Sequence, residues 1–244
     1  MLADRSPAER TPHFPALLNA RDLGGYPTVE GDKTQWRSLL RSDDLAQLTA
    51  EGLEALMNYG VETVVDLRWS EEITRYPSPV ARDGSRIAYT HVSLLGNTAA
   101  QWQELSTNTD KAGWNCVVLD KARAELKAVL TVIAAAPPGT LLFHCVAGKD
   151  RTGIIAALLL ALAEVVPDAI ADDYAASTNR LCDAYLKRYA HVDPNQVLEN
   201  VRCPQETVHN MLSYLADLGG IRAYLENIGL TQGEVASLRA RLRS

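Results

Sequence analysis

Thr140-Leu141-Leu142-Phe143-His144-Cys145-Val146-Ala147-Gly148-Lys149-Asp150-Arg151-Thr152-Gly153 is the stretch on which the reading of this chain turns. Its first four residues form an apolar run of strand length, and Ile154 to Ala163 reads as a helix. A strand that feeds a loop opening a helix directs several backbone N–H groups, and the positive end of the helix, at one point. Cys145 begins that loop and Arg151 closes it, with five residues between them. Such donors favour the charged form of a sulfur, so Cys145 is expected as a thiolate nucleophile. The amides of Val146, Ala147, Gly148, Lys149, Asp150 and Arg151 suit a tetrahedral oxyanion. The planar fork of Arg151 can hold two of its oxygens. Nucleophile and anion cradle lie in one loop, which points to phosphoryl transfer to sulfur.

Two other readings compete. A buried cysteine is often a small hydrophobe, but Lys149, Asp150 and Arg151 make poor core neighbours. A nucleotide-binding loop needs Ser or Thr after Gly-Lys and a Gly five residues earlier; here those positions hold Asp150 and Phe143. The Cys-x5-Arg pattern, preceded by His144 and followed by Thr152-Gly153, resembles the cysteine-dependent phosphatases. The narrower His-Cys-x-x-Gly-Lys-Asp-Arg-Thr-Gly form resembles the bacterial tyrosine and phosphoinositide phosphatases. Asn19-Ala20-Arg21-Asp22-Leu23-Gly24-Gly25 matches a second segment characteristic of that family, and Leu39-Leu40-Arg41-Ser42 a third. The resemblance implies an α/β cysteine-phosphatase fold: a mainly parallel central sheet flanked by helices, with a helical lid after the core helix. It spans roughly residues 16–242, although only the 144–153 loop and the 19–25 segment are specific.

Whole-chain properties agree. At 244 residues the chain can bury a substantial core. We expect a mobile tail over 1–12, one phosphatase domain over 13–244, and lid-like helices near 168–204. The net charge of −6 argues against nucleic acid or an anionic membrane as partner. Cys116, Cys145, Cys182 and Cys203 show no metal-site spacing, so reduced thiols and no metal or cofactor are expected. The longest apolar run, Gly153 to Ala163, falls short of the ~20 residues a membrane span needs. With no ordinary signal peptide, a cytoplasmic location is expected, non-classical export remaining open. The oligomeric state is not legible.

In chain order, Thr49 caps a helix over Ala50–Tyr59 that Gly60 ends. Val61 to Arg68 reads as a strand. Strand, helix and strand in succession predict a parallel sheet with ligands beyond its carboxyl ends. Asp66 and Arg68 sit at such an end. They either face the crevice of Cys145 or form an internal pair holding loops. Arg86 to Val92 reads as a further strand. Residues 96–121, with Trp102 and Trp114 spaced too far apart for one helical face, suggest a loop or short helices. A helix is expected over 122–136. Asp168 to Tyr189 suggests two helices broken around Ser177-Thr178-Asn179. Helices are expected near 206–218 and from the capping box Thr231-Gln232-Gly233-Glu234 to Leu242.

Roles follow from the chemistry. Thr152 can donate its hydroxyl to the sulfur, and His144 is expected to bond loop backbone. Protonating the leaving oxygen contributes roughly 10²–10⁴-fold. Trp-Pro-Asp, which carries the acid in many tyrosine phosphatases, does not occur; Trp69-Ser70-Glu71 comes closest. The resemblance implies Asp150 as the acid, with Asp66 the runner-up. Lys149 occurs at this place in phosphatases of phosphoinositides as well, but Val146 stands where the most selective of those carry another lysine. A phosphatase of broad range is expected, taking phosphotyrosine in a phosphorylated protein and tolerating phosphoinositide or phosphoserine. The competing class is a non-catalytic phospho-binding module. Arsenate reductases need partner cysteines nearby, and here the other three are distant in sequence.

Overall fold

β1 (Arg21–Asp22), β2 (Leu39–Ser42), β3 (Val61–Asp66), β4 (Ala88–His91) and β5 (Thr140–His144) form a sheet in the order β1-β2-β5-β3-β4. These come from a computed structural model that describes residues 10–82, 85–96, 102 and 109–243. β1 runs antiparallel to β2, and the other pairings are parallel. The parallel strands therefore end on one edge, with Ser42, His144 and Asp66 in register across β2, β5 and β3. β5 is central and buried along its whole length. Its side chains alternate between two cores, as the pleat requires. Leu141 and Phe143 join one, Leu142 the other.

α1 (Ala50–Tyr59) covers the smaller core. Thr49 Oγ1 accepts from Gly52 N–H, and Gly60 ends the helix at φ +102°, as the sequence predicts. α2 (Ser70–Arg75) follows β3, and α3 (Lys111–Lys121) and α4 (Arg123–Ala135) precede β5. α5 (Asp150–Leu162) leaves the loop after β5 and is buried on nearly every side. It packs in the larger core, which α6 (Pro167–Arg188), α8 (Gln205–Asp217), α9 (Ile221–Asn227) and α10 (Gln232–Leu242) complete. α7 (Pro194–Val201) lies between α6 and α8 in sequence, within the stretch expected as a lid. The Thr231–Glu234 capping box forms as expected. No helix among the described residues is long and apolar enough to cross a membrane.

Two expectations need correction, and a third, a loop or short helices over 96–121, becomes definite. α6 is one unbroken helix, where a break around Ser177–Asn179 was expected. Ser and Thr weaken helices by competing for backbone. Here Ser177 Oγ instead accepts from Asn19 Nδ2 and Arg21 Nη2, and Thr178 Oγ1 accepts from Cys203 N–H. The strand expected over 86–92 is confined to Ala88–His91. Within 96–121, Lys111–Lys121 is a regular helix capped by Asp110, which accepts from Gly113 N–H. Trp102 and Trp114 share no helix, yet their rings meet edge to face at 6.0 Å. Residues 97–101 and 103–108 of that expectation lie outside the described residues, as do 1–9 of the expected tail.

Candidate active site

His144 ends β5, and the backbone from Cys145 to Lys149 then curls into a loop whose exit is the first turn of α5. Its outer side is braced from three directions. Asp44 N–H donates to Val146 O at 2.9 Å. Asn19 Nδ2 donates to Ala147 O and Gly148 O, both at 3.0 Å. Arg41 Nη2 donates to Gly148 O at 2.8 Å. In a trans peptide the N–H points opposite to the C=O of its own plane. Carbonyls of Val146, Ala147 and Gly148 held outward therefore turn the N–H groups of Ala147, Gly148 and Lys149 inward, into a bowl. Gly148 makes the curl possible. It sits at φ +65°, and a Cβ there would lie 2.4 Å from Ser42 O and 2.6 Å from Asp43 N.

The braces share an anchor. Asp173, buried within α6, accepts from Arg21 Nε and Tyr26 Oη, at 2.7 and 2.8 Å, and from Arg41 Nη1. Arg21 also donates to Asn19 Oδ1, which fixes the amide that holds the loop. Burial alone would raise the Asp173 carboxyl, but the two guanidiniums outweigh it and hold the group well below the carboxylate range. Sequence reasoning marked the 19–25 and 39–42 segments without giving them a task. The structure makes them the scaffold of the loop, and Asp173 and Ser177 are members it missed.

Cys145 is buried at the start of the loop, 3% exposed. His144 Nδ1 lies 3.1 Å from Cys145 O, the backbone contact expected of it. Complete burial pushes the His144 imidazole below its ordinary value. Thr152 Oγ1 is buried and forms no hydrogen bond among the described residues, so the expected bond to the cysteine sulfur is not made. Cys116, Cys182 and Cys203 are free thiols, like Cys145.

Arg151 is held from a direction the sequence did not indicate. Its Nη1 and Nη2 donate to Glu72 Oε2 and Oε1 at 2.7 and 3.0 Å, and its guanidinium lies 4.8 Å from the centre of the Trp69 ring. Glu72 Oε2 also accepts from Trp69 N–H at 2.8 Å, so one carboxylate starts α2 and orients Arg151. A guanidinium carries five N–H donors. Two go to Glu72, leaving a free edge for an anion. The signal was a glutamate three residues into a helix start, next to the Trp69-Ser70-Glu71 stretch compared above.

Asp66 and Arg68 form the internal pair. Arg68 donates through Nε and Nη2 to the Asp66 carboxylate at 2.7–3.0 Å, and Tyr89 Oη donates to it at 2.7 Å. Asp66 is fully buried. Burial favours its protonation, but the His144 ring and the Arg68 guanidinium beside it, with the hydrogen bonds from Arg68 and Tyr89, bring it to about 2. A carboxyl lowered from 3.8 to about 2 contributes about 2 kcal/mol of stability, complete above pH 4 and lost as pH falls toward 2. Thermal melts of the wild type and of Asp66→Asn between pH 5 and pH 2 should therefore converge as pH falls. A gap between the two melts that stays constant over that range contradicts this assignment.

Asp150 differs. It opens α5 with its side chain 42% exposed, its Oδ2 3.6 Å from Lys149 Nζ and its Oδ1 3.4 Å from Tyr174 Oη. Lys149 Nζ donates to the Asn200 carbonyl at the end of α7. Two cavities flank the loop. One of about 410 Å³ is bordered by Val146, Asp43, Tyr76 and Tyr185; the other, of about 470 Å³, by Lys149, Asp150, Arg151 and Trp69. Both are large enough for an aryl phosphate.

With this geometry in place, similarity to known proteins is informative. A family model described as "Tyrosine phosphatase family" matches residues 12–244. The chain is 34% identical over 219 residues to a "Tyrosine-protein phosphatase" of Nostoc commune, covering 84% of this chain and 74% of that protein. It is 27% identical over 272 residues to "Triple specificity protein phosphatase PtpB" of Mycobacterium tuberculosis, covering 93% and 96%. Among solved structures, TpbA of P. aeruginosa aligns with a TM-score of 0.36 at 18% identity, over 67% of this chain and 85% of that one.

Proposed function

This chain belongs to the tyrosine phosphatase family, and from that premise we propose that it hydrolyses phosphate monoesters through a phosphocysteine on Cys145. Phosphotyrosine is the favoured substrate within a broad range. The observation that carries the reading is the loop itself: a buried cysteine at the base of a bowl of inward N–H groups, closed by an arginine with an unused edge. The breadth is supported by the triple specificity in the name of the mycobacterial relative and by Lys149 at the rim, which suits phosphoinositides as a second substrate class.

In the first step the Cys145 thiolate attacks phosphorus in line. The S–P bond forms as the ester P–O bond breaks, and the leaving oxygen takes a proton from the Asp150 carboxyl. The inward amides and Arg151 neutralise the equatorial oxygens, where charge must be held for an anionic nucleophile to approach. In the second step water attacks phosphorus and gives a proton to the Asp150 carboxylate. The S–P bond then breaks, returning phosphate and the thiolate. Glu72 fixes the Arg151 guanidinium through two hydrogen bonds, which limits its rotamers before an anion arrives.

Asp150 is supported as the acid over Asp66 because it borders the cavity beside Arg151, whereas Asp66 is enclosed and held ionised by Arg68. Turnover of two aryl phosphates tests this. Phenol is a basic leaving group that needs a proton, and an acidic nitrophenol departs largely unaided. Asp150→Asn should slow the phenyl ester by roughly 10²-fold or more and the nitrophenyl ester far less. An equal loss on both esters points to a role in shaping the loop instead. No turnover of either ester by the wild type removes the enzymatic reading altogether.

A further inference from the structure

A groove of about 450 Å³ lies between the end of α6 and α7, and the reaction itself does not use it. Its lining follows from helical spacing. Tyr185 and Tyr189, four residues apart, fall on one face at the end of α6, and their rings meet at 5.7 Å. Gln196 and Asn200, also four apart, fall on one face of α7. Val192 and the buried Val197 complete it. None of these residues carries a charge, so the groove suits an apolar group and not a phosphate or an ionised side chain. The side-chain amides of Gln196 and Asn200 form no hydrogen bond among the described residues, which leaves donors and acceptors along one edge. The groove adjoins both cavities that flank the loop. Tyr185 also lines the 410 Å³ cavity beside Val146, and Asn200 the 470 Å³ cavity beside Arg151. Burial pushes the Tyr185 phenol up to about 12, and the charge of Cys145 is among the smaller causes, so this wall stands within electrostatic reach of the nucleophile.

We propose that this groove binds a large apolar side chain, such as leucine, close in sequence to the scissile phosphotyrosine of a protein substrate. The inference rests on the preceding reading that the phosphate of that tyrosine is held by the loop amides and Arg151. Continuity with the two cavities makes the substrate's own chain the occupant. A peptide is favoured over a lipid acyl chain because Gln196 and Asn200 offer hydrogen bonds that a peptide backbone takes and an alkyl chain does not. The Gln196–Asn200 face spans about 6 Å. An extended chain advances about 3.3 Å per residue, so the side chain belongs within about four positions of the phosphotyrosine. Tyr189, 36% exposed, presents the most open ring of the groove and is its specificity-determining residue.

The test uses a phosphotyrosine peptide that is otherwise polar, with leucine or serine placed at each neighbouring position in turn. Binding is measured calorimetrically on Cys145→Ser protein, and kcat/KM on the enzyme with its cysteine. At the position that reaches the groove, leucine should tighten binding and raise kcat/KM by about tenfold, as burial of much of that side chain predicts. Tyr189→Ala should bring the leucine-to-serine ratio near one, and Tyr189→Phe should restore it. Ratios near one at every position, with turnover intact, overturn the groove and leave the phosphatase reading standing. A leucine preference that Tyr189→Ala leaves whole overturns its placement here. Peptides that neither bind nor turn over overturn the groove together with the phosphatase reading. Alkyl phosphates whose affinity rises with chain length only while Tyr189 is present, with peptides indifferent, overturn the peptide assignment. A dimer that Tyr189→Ala dissociates, again with peptides indifferent, overturns it in favour of a second copy.

Discussion

Replacing Cys145 by serine is expected to lower turnover of any phosphate ester by roughly four orders of magnitude or more, while phosphate or vanadate still binds. The loss follows from chemistry rather than shape. A serine hydroxyl is nearly isosteric, but it is far harder to ionise, and among the described residues no base hydrogen-bonds the Cys145 side chain to take its proton. His144, the nearest candidate, directs Nδ1 at the Cys145 carbonyl and lies at full burial behind the loop. The cradle is independent of the sulfur, since its shape comes from carbonyls held by Asn19, Arg41 and Asp44. Oxyanion binding followed by a thermal shift should therefore survive. A serine variant retaining a few per cent of activity contradicts covalent catalysis at this position.

The largest expected change in stability comes from Asp173→Ala. Arg21 and Arg41 are 2% and 0% exposed and meet at this one carboxylate, to which Tyr26 also donates. Removing it leaves two guanidiniums buried without an anion, which costs about 3–5 kcal/mol. Against a total stability of about 5–15 kcal/mol, that is a large fraction. The same change frees Arg41 from one side and loosens its hold on Gly148 O, so oxyanion binding should weaken along with the fold. Urea unfolding monitored by circular dichroism gives the first quantity and calorimetry with phosphate the second. A loss below about 1 kcal/mol would contradict the anchor role. Unchanged phosphate affinity in a destabilised variant would separate Asp173 from the loop.

Much of this arrangement could be read from residues alone because the loop is contiguous. Ten adjacent positions carry both nucleophile and clamp, and the apolar strand before them and apolar helix after them fix their setting. Thr49 with Gly60, and Thr231 with Glu234, were legible for the same reason: a cap is a local event. The misses are all events at a distance. Glu72 meets Arg151 across 79 positions, and Asp173 meets Arg21 across 152, so no spacing rule connects them. The break expected in α6 came from judging Ser177 and Thr178 by propensity, when their partners lie on the 19–25 segment and at Cys203. Trp102 and Trp114, too far apart in sequence for one helical face, do lie on separate segments, and their ring contact across space had no sequence signal. Asp66 was the hardest to place. The carboxyl end of a parallel strand suits ligand and internal pair equally, and only the positions of Arg68 and Tyr89 decide.

One chemical species, phosphate bound to the Cys145 sulfur, separates covalent from direct hydrolysis. Rapid mixing of the enzyme with a ³²P-labelled aryl phosphate, quenched within milliseconds and digested for peptide mapping, should yield the label on the fragment containing Cys145. Release of the aryl alcohol should show a burst equal to the enzyme concentration wherever hydrolysis of the intermediate is the slower step. The Asp150→Asn variant, with a nitrophenyl ester, should accumulate more label because its second step lacks a base for water. Turnover that proceeds with no label on Cys145 in either protein, at every quench time, would mean that water attacks the ester directly and that the cysteine is not the nucleophile.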